Sequence, residues 1–334
     1  MRTEEWEPDD VLALASRYRE ACILTAAADL DLFAVLSGGP RTPRETAEAC
    51  AADRRAVAIL LDALTALRLL AKEGERYSLA PGLARLLVGH GPGSVLAIVR
   101  HQGSCLRRWA QLGEVAKTGR PAERVPSVQG EEADAAAFIE GMNDLCAPVA
   151  ARIWDELGDL EFTHVLDVGG GSGTWLVPLL RRHARARGTL FDLPHVLPLA
   201  ARRLATEGIA DRVTLVAGDF YADPLPAGSD LVWLSAILHQ GSRAENRALL
   251  ARIHAALVPG GRILVRDAVM DDSRTSPVFG ALFAVNMLVA TAGGGTFTLS
   301  EIRADLEAAG FAGVQLLRAD EAMYAVVGAR KPGG

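Results

Sequence analysis

Apolar and polar positions along the chain change rhythm once. Up to about residue 157 they recur with helical spacing. Val11 to Val35 reads as a helix rich in Ala and Leu, ended by Ser37-Gly38-Gly39-Pro40. Thr42-Pro43-Arg44-Glu45 predicts a helix start, with Thr as N-cap, Pro at the first helical position and Glu closing the box. That helix runs to Cys50. The next runs from Arg54 to Leu70, with Val57, Leu60, Leu61, Leu64 and Leu67 on one face. Residues 72–76 form a hairpin-like turn before the short strand Tyr77-Ser78-Leu79. Residues 83–114 continue helical, with His101 and Trp109 among apolar neighbours, until Thr118-Gly119-Arg120-Pro121 breaks the pattern. Residues 131–157 read as one long helix with Met142, Asn143, Asp144 and Cys146 near its middle.

From Thr163 onward short apolar runs alternate with helical stretches. Strands are predicted near 163–168, 188–192, 213–217, 230–235 and 262–268. Helices are predicted near 173–185, 195–207, 243–257, 276–290 and 299–309, and a final pair, 313–318 and 322–329, closes the chain. This is the α/β pattern of a parallel sheet. The expected division is a mainly helical domain over 1–130 and an α/β domain over 131–334.

Helix, turn, helix and a small wing near residues 42–79 raise the question of DNA binding. Residues 1–100 hold 12 Lys/Arg against 14 Asp/Glu, a balance of 12 − 14 = −2, and the whole chain carries a formal −6. A DNA reader releases counterions through clustered basic residues. The second helix of the pair offers only Arg54, Arg55 and Arg68, so a packing or dimerisation module is the better reading and no nucleic-acid partner is expected. The four cysteines have no C-x-x-C spacing, which fits buried thiols in a reducing cytoplasm rather than a disulfide framework or zinc site. Met1 to Asp10 is acidic and unlike a signal peptide, and no apolar run approaches the ~18 residues of a membrane span. Abundant Ala and Arg match a GC-rich bacterial genome.

The candidate chemistry gathers at strand ends, where open α/β sheets bind ligands. Val165-Leu166-Asp167-Val168 runs into Gly169-Gly170-Gly171-Ser172-Gly173, a turn that lets a ligand lie against backbone, with the next helix aiming its N–H groups at it. The dinucleotide fingerprint G-x-G-x-x-G fails, since its last position would be Thr174 or Leu176. The second strand ends in Phe191-Asp192-Leu193-Pro194, where a carboxylate can accept from ribose hydroxyls. The third is followed by Gly218-Asp219-Phe220, suited to an adenine amino group and ring face. The fourth ends in Ser235-Ala236-Ile237-Leu238-His239. No His, Cys, Asp or Glu group has metal-ligand spacing, and Asp271-Asp272 reads as a solvated loop.

The glycine turn resembles motif I of class I S-adenosylmethionine (SAM) methyltransferases. L-D-V-G-G-G-S-G (166–173), F-D-L-P-H-V (191–196), G-D-F (218–220), I-L-H (237–239) and L-V-P-G-G-R-I-L-V (257–265) together resemble the bacterial and plant small-molecule O-methyltransferases. The resemblance implies a Rossmann-like methyltransferase sheet behind an N-terminal winged-helix domain that forms a homodimer. It implies SAM as cofactor, S-adenosylhomocysteine as product, no metal, and a small aromatic or polyketide-like acceptor. Gly169, Gly170 and Gly171 would cradle the methionine part, Asp192 would hold the ribose, Asp219 and Phe220 would contact the adenine, and Asp167, Leu193 and Ser235 would also lie beside the cofactor. His239 falls where the family keeps its general base for an in-line methyl transfer, and Asp267 where an acid orients that base. Trp109, Met142, Asn143 and Met287 would line the acceptor pocket, bordered by a mobile glycine-rich stretch, 291–298.

The chain departs from the plant pattern H-D-W-S-D-E after the His, reading Gln240-Gly241-Ser242-Arg243-Ala244. Glu245 is a candidate for the displaced acid, Thr296 stands where a second orienting Glu is expected, and Cys146 aligns with a Ser near the cofactor. Methyl transfer to nitrogen, sulfur or carbon, or another SAM-linked reaction, therefore stays open beside O-methylation.

Overall fold

The computed structural model describes residues 5–89 and 93–333. Met1 to Glu4, which open the acidic N-terminal stretch, lie outside the described residues. The chain divides into two compact units, one of residues 1–110 and 124–145, the other of 111–123 and 146–334. The expected division at 130/131 is a single cut, whereas these units exchange short segments.

In the first unit, α1 (Pro8–Ser16), α2 (Tyr18–Asp29) and α3 (Leu32–Ser37) replace the single helix expected over 11–35. Asp31, at φ 56°, turns the chain between α2 and α3, a left-handed conformation that a short polar side chain tolerates. Nothing in α1 is buried. α4 (Pro43–Ala49) starts on the expected box: the Glu45 carboxylate accepts from the Thr42 amide at 2.7 Å and the Thr42 hydroxyl from the Glu45 amide at 3.3 Å. α5 (Arg54–Ala66) ends short of Leu70 because Arg68, at φ 61°, redirects the chain into β1 (Leu70–Glu73), which pairs antiparallel with β2 (Arg76–Leu79). Phe33, Leu36, Leu61, Leu64 and Tyr77 form the core of this winged-helix arrangement. Burying side chains of that size stabilises by about 1.5–3 kcal/mol each.

The helix expected over 83–114 is also divided. α6 (Leu83–Leu87) and α7 (Leu96–Trp109) are separated by Gly89 and Gly93 at φ 68° and 85°, and α8 (Leu112–Thr118) follows in the second unit. α9 (Glu131–Glu156) is the long helix expected, with Pro148 inside it; its residues up to Leu145 belong to the first unit and the rest to the second.

The second unit alternates as the pattern predicts. In order come β3 (His164–Val168), α10 (Leu176–Arg182), β4 (Arg187–Asp192), α11 (Leu197–Thr206), β5 (Val213–Ala217), β6 (Ser229–Ser235), α12 (Arg243–Ala256) and β7 (Leu257–Asp267). Then follow β8 (Val269–Met270), α13 (Val278–Ala290), β9 (Phe297–Thr298), α14 (Leu299–Ala308), β10 (Ala312–Arg318) and β11 (Ala325–Arg330). Seven strands form one sheet in the order β10-β11-β7-β6-β3-β4-β5. β7 through β5 are parallel, and β11 runs antiparallel between β7 and β10. β8 and β9, which the pattern does not predict, pair with each other in parallel.

The chain leaves β3 toward β4 and β5 on one side and returns to β6 and β7 on the other. In open α/β sheets ligands bind in the crevice beyond the strand ends at that switch point. Below it, one sheet face is packed by Trp154, Trp175, Trp233 and Leu264, with Trp154 and Trp233 rings 4.4 Å apart and the Trp154 indole N–H donating to the Trp175 carbonyl at 2.9 Å. The opposite face is packed by Phe191, Leu250, Ile253 and Val265. Among the described residues no helix is long and apolar enough to cross a membrane.

Candidate active site

The glycine turn is built from two different needs. Gly169, Gly171 and Gly173 have φ of 68°, 57° and 79°, a region open to glycine at no steric cost. At Gly169 an added Cβ would stand 2.6 Å from Ile237 Cδ1, and at Gly170 2.8 Å from the Asp167 carboxyl group. At Gly171 it would meet nothing within 4 Å, so this glycine faces open space. The turn itself consumes residues 169–175. α10 begins only at Leu176 and is seven residues long, later and shorter than expected, so backbone in the turn rather than the helix terminus borders that space. Asp167, at the base of the turn, is buried and its Oδ2 has no hydrogen-bond partner. Burial first, then the Asp192 charge, push its carboxyl up to about 8, against the opposing pull of Arg266.

The neighbouring strand ends converge on this turn. Asp192 closes β4, and its carboxylate accepts from the Gly171 amide at 2.7 Å and from the Leu193 amide at 2.7 Å. Burial raises its pKa, and those two amides oppose the rise. The Leu193 side chain is exposed. Beyond β5, Asp219 accepts from the Tyr221 amide at 2.8 Å, and Phe220 packs on Tyr221 with ring centroids 4.6 Å apart. Ser235 closes β6, and its hydroxyl accepts from Arg266 Nε at 2.6 Å.

Arg266 is the residue that sequence reasoning passed over. It is buried, donates to the Met323 carbonyl at 2.9 Å, and lies over the rings of Trp175 and Tyr324 at 4.8 and 5.4 Å. The available signal was a guanidinium inside the apolar run of β7.

His239 sits in a 3₁₀ turn (Leu238–Gln240) just past β6, and Asp267 ends the adjacent β7. Both are buried. His239 Nδ1–H donates to Asp267 Oδ1 at 2.8 Å, and the Ala268 amide donates to the same oxygen at 2.8 Å. Burial alone would raise the Asp267 pKa. The charge and hydrogen bond of His239, with the Ala268 amide and Arg266, bring it below the ordinary carboxylate value. Among the described residues His239 Nε2 has no hydrogen-bond partner. A buried carboxylate on one imidazole nitrogen fixes the tautomer and leaves the other nitrogen as proton acceptor.

The surroundings lock this turn. Asn246 Nδ2 donates to the Leu238 carbonyl at 2.8 Å, and the Gly295 amide to the His239 carbonyl at 2.9 Å. Within the stretch 291–298, expected to be mobile, further ties appear: Gly294 donates to the Thr291 hydroxyl at 2.9 Å, and Thr296 to the Gly280 carbonyl at 3.2 Å. Glu245 does not take over as a displaced acid for His239. Its carboxylate accepts from the amide and hydroxyl of Ser242 at 2.7 and 2.6 Å and caps α12.

The residues expected around an acceptor are divided between the units. Trp109, at the end of α7, and Met142 and Asn143, on α9, are half-buried in the first unit. Met287, buried on α13, belongs to the unit that holds His239. Cys146 is buried in the second unit's core, and burial raises its thiol pKa.

Comparison with known proteins now bears on this site. Residues 119–312 match the model of the O-methyltransferase domain, and residues 12–89 match that of the O-methyltransferase dimerisation domain. The chain is 36% identical over 305 residues to a 3-hydroxy-5-methyl-1-naphthoate 3-O-methyltransferase of Streptomyces sahachiroi, covering 88% of this chain and 87% of that one. It is 31% identical over 324 residues to the N,N-dimethyltransferase OxyT of Streptomyces rimosus, covering 93% and 92%. The crystal structure of human N-acetylserotonin methyltransferase in complex with SAM aligns at a TM-score of 0.80 with 26% identity, covering 99% of this chain and 100% of that one. With the glycine turn, the carboxylate-tipped strands and both family models in one chain, this protein belongs to the O-methyltransferase family and is a SAM-dependent methyltransferase.

Proposed function

We propose that the protein methylates a hydroxyl of an aromatic or polyketide-like small molecule, with His239 as general base and Asp267 as the acid that orients it. The observation that carries this reading is the buried Nδ1–H···Oδ1 bond of 2.8 Å, with Nε2 left unpartnered. Bound SAM supplies an electrophilic methyl on a sulfonium and leaves as S-adenosylhomocysteine. A phenol, with a pKa near 10, gains from a positioned base that takes its proton as the bond to methyl forms, and Asp267 stabilises the imidazolium so formed.

The chain's residues fit the cofactor. Gly171 faces space that a side chain would fill, and the two carboxylates at the tips of β4 and β5 offer acceptors to a ribose and an adenine amino group. In this reading Asp192 and Leu193 border the ribose. Asp219 and Phe220 border the adenine. Asp167, Gly169, Gly170, Gly171 and Ser235 border the methionine part. Met287, in the unit that holds His239, faces the acceptor. The acceptor class is supported by the naphthoate methyltransferase relative.

The proposed reaction needs no metal, because the imidazole–carboxylate pair already takes the proton; loss of activity in EDTA with recovery in magnesium would count against this. The same reading includes a cytoplasmic homodimer assembled through the N-terminal domain, which sedimentation would contradict by finding a monomer. The function is tested by titrating SAM and S-adenosylhomocysteine into the wild type and His239→Ala. Equal cofactor affinity with lost turnover is expected, and wild-type turnover of a phenolic acceptor by the variant removes the base role. A second reading, transfer to an amine, is favoured by the N,N-dimethyltransferase relative and by the Gln240-Gly241 departure. Mass spectrometry of products from matched hydroxyl and amine acceptors separates the two.

A further inference from the structure

Phe279, Phe283 and Met287 recur every four residues along α13, and that spacing puts them on one stripe of the helix. Burial is graded along it, with Phe279 41% exposed and Met287 only 7%. The Phe283 ring stands 4.9 Å from the His239 imidazole at an interplanar angle of 82°, an edge contact. Phe279 lies nearly parallel to Phe283, 5.7 Å away at 8°. The imidazole is thus the innermost of three rings, followed by a half-buried ring and then an exposed one. His239 cannot retreat from this contact, because Asp267 holds its Nδ1 and Gly295 its carbonyl.

Single exposed apolar side chains need no explanation. Two parallel aromatic rings leading outward from a buried imidazole are a different case, because aromatic faces and edges have preferred partners at centroid distances of ~4.5–7 Å. Of these two rings, a one-ring acceptor presenting its hydroxyl to His239 meets Phe283 and not Phe279. Phe279 lies one ring further out and is reached only by a longer, fused system.

We infer that Phe279 and Phe283 are specificity-determining residues that select a fused, at least bicyclic, aromatic acceptor, and that Phe283 also acts as a positioning residue for the His239 imidazole. The inference rests on the reading of His239 as the base, yet its acceptor-binding part is measurable without turnover. Phenol and 2-naphthol are titrated calorimetrically into the dimeric enzyme saturated with S-adenosylhomocysteine, comparing the wild type with Phe279→Leu and Phe283→Leu. Leucine keeps most of the apolar area, and unchanged S-adenosylhomocysteine affinity shows that each variant is folded.

Phe279→Leu is expected to weaken 2-naphthol roughly two- to tenfold, the worth of one aromatic pair, while leaving phenol unchanged. Phe283→Leu is expected to weaken both and to shift the acid limb of the kcat/KM pH profile, which a merely structural residue would leave in place. The inference is overturned if Phe279→Leu changes both probes alike or neither, or if the wild type binds no 2-naphthol. Full turnover by His239→Ala would instead remove the base reading and leave the ring-selective binding standing.

Discussion

The two sides of the crevice are made in different ways. On the β3–β4–β5 side the chain uses backbone and carboxylates that directly follow their strands, and Asp192 reaches the Gly171 amide from the adjacent strand. On the β6–β7–α13 side it uses side chains that meet from distant positions: His239 with Asp267, 28 residues on, and with Phe283 on a separate helix. The first side is shaped by where a Cβ cannot go. The second depends on a proton-carrying group being held at one tilt. Changes on the first side should therefore act on cofactor affinity and folding, and changes on the second on turnover.

The largest expected effect tests the second side. His239→Ala should lower kcat by about 10²–10⁴-fold, the usual contribution of a positioned general base, with S-adenosylhomocysteine affinity in calorimetry unchanged. A comparable loss of cofactor affinity would erase the distinction between the two sides. Asp267→Asn comes next. The amide cannot stabilise an imidazolium and allows the wrong tautomer, so kcat should fall by roughly 10²-fold, toward the lower end of the base's own contribution. A drop in cofactor affinity alone would reassign Asp267 to the other side.

The first side is sharpened by two glycines that share backbone conformation but not surroundings. Alanine at either position pays the left-handed penalty of about 1–2 kcal/mol. At Gly169 the Cβ also collides with Ile237 at 2.6 Å, whereas at Gly171 it enters open space. Gly169→Ala should lower the melting temperature more than Gly171→Ala, each kcal/mol amounting to about 2–4 °C in a domain of this size. Gly171→Ala should lose more cofactor affinity than its stability loss explains. Equal melting points with equal affinities would mean that the open face at Gly171 takes no ligand.

What could be read in the sequence follows the same division. The succession of strands and helices along the chain, the glycine turn and the strand-end carboxylates lie in contiguous motifs, so local pattern reaches them. The capping boxes of α4 and α12 are local too, and Glu245, the candidate for the displaced acid, is committed to Ser242. The breaks at Asp31 and Arg68 escaped because nothing in the pattern marks a non-glycine residue that turns left-handed. The helix expected over 173–185 overruns α10 at both ends, because residues 173–175 are spent on the turn and His183 leaves the helical conformation. Arg266 on Ser235 and Phe283 on His239 are tertiary meetings, and no local spacing announces them.

Asp167 stands where the two sides join, with burial and Asp192 raising its pKa and Arg266 lowering it, and its test reads stability without turnover. In the ligand-free protein its carboxyl titrates at about 8 instead of the ordinary 3.8. Between those values the folded chain holds a proton that the unfolded chain has released, so stability falls as pH rises across that window. Asp167→Asn carries no such proton. Its melting temperature relative to the wild type should therefore climb from pH 5 to pH 9. Each pH unit above 5 over which the folded chain keeps that proton, about 1.4 kcal/mol, corresponds to a relative gain of roughly 3–5 °C. Parallel melting curves across that range would mean that Arg266 keeps Asp167 ionised, and that the glycine turn is charged before any cofactor arrives.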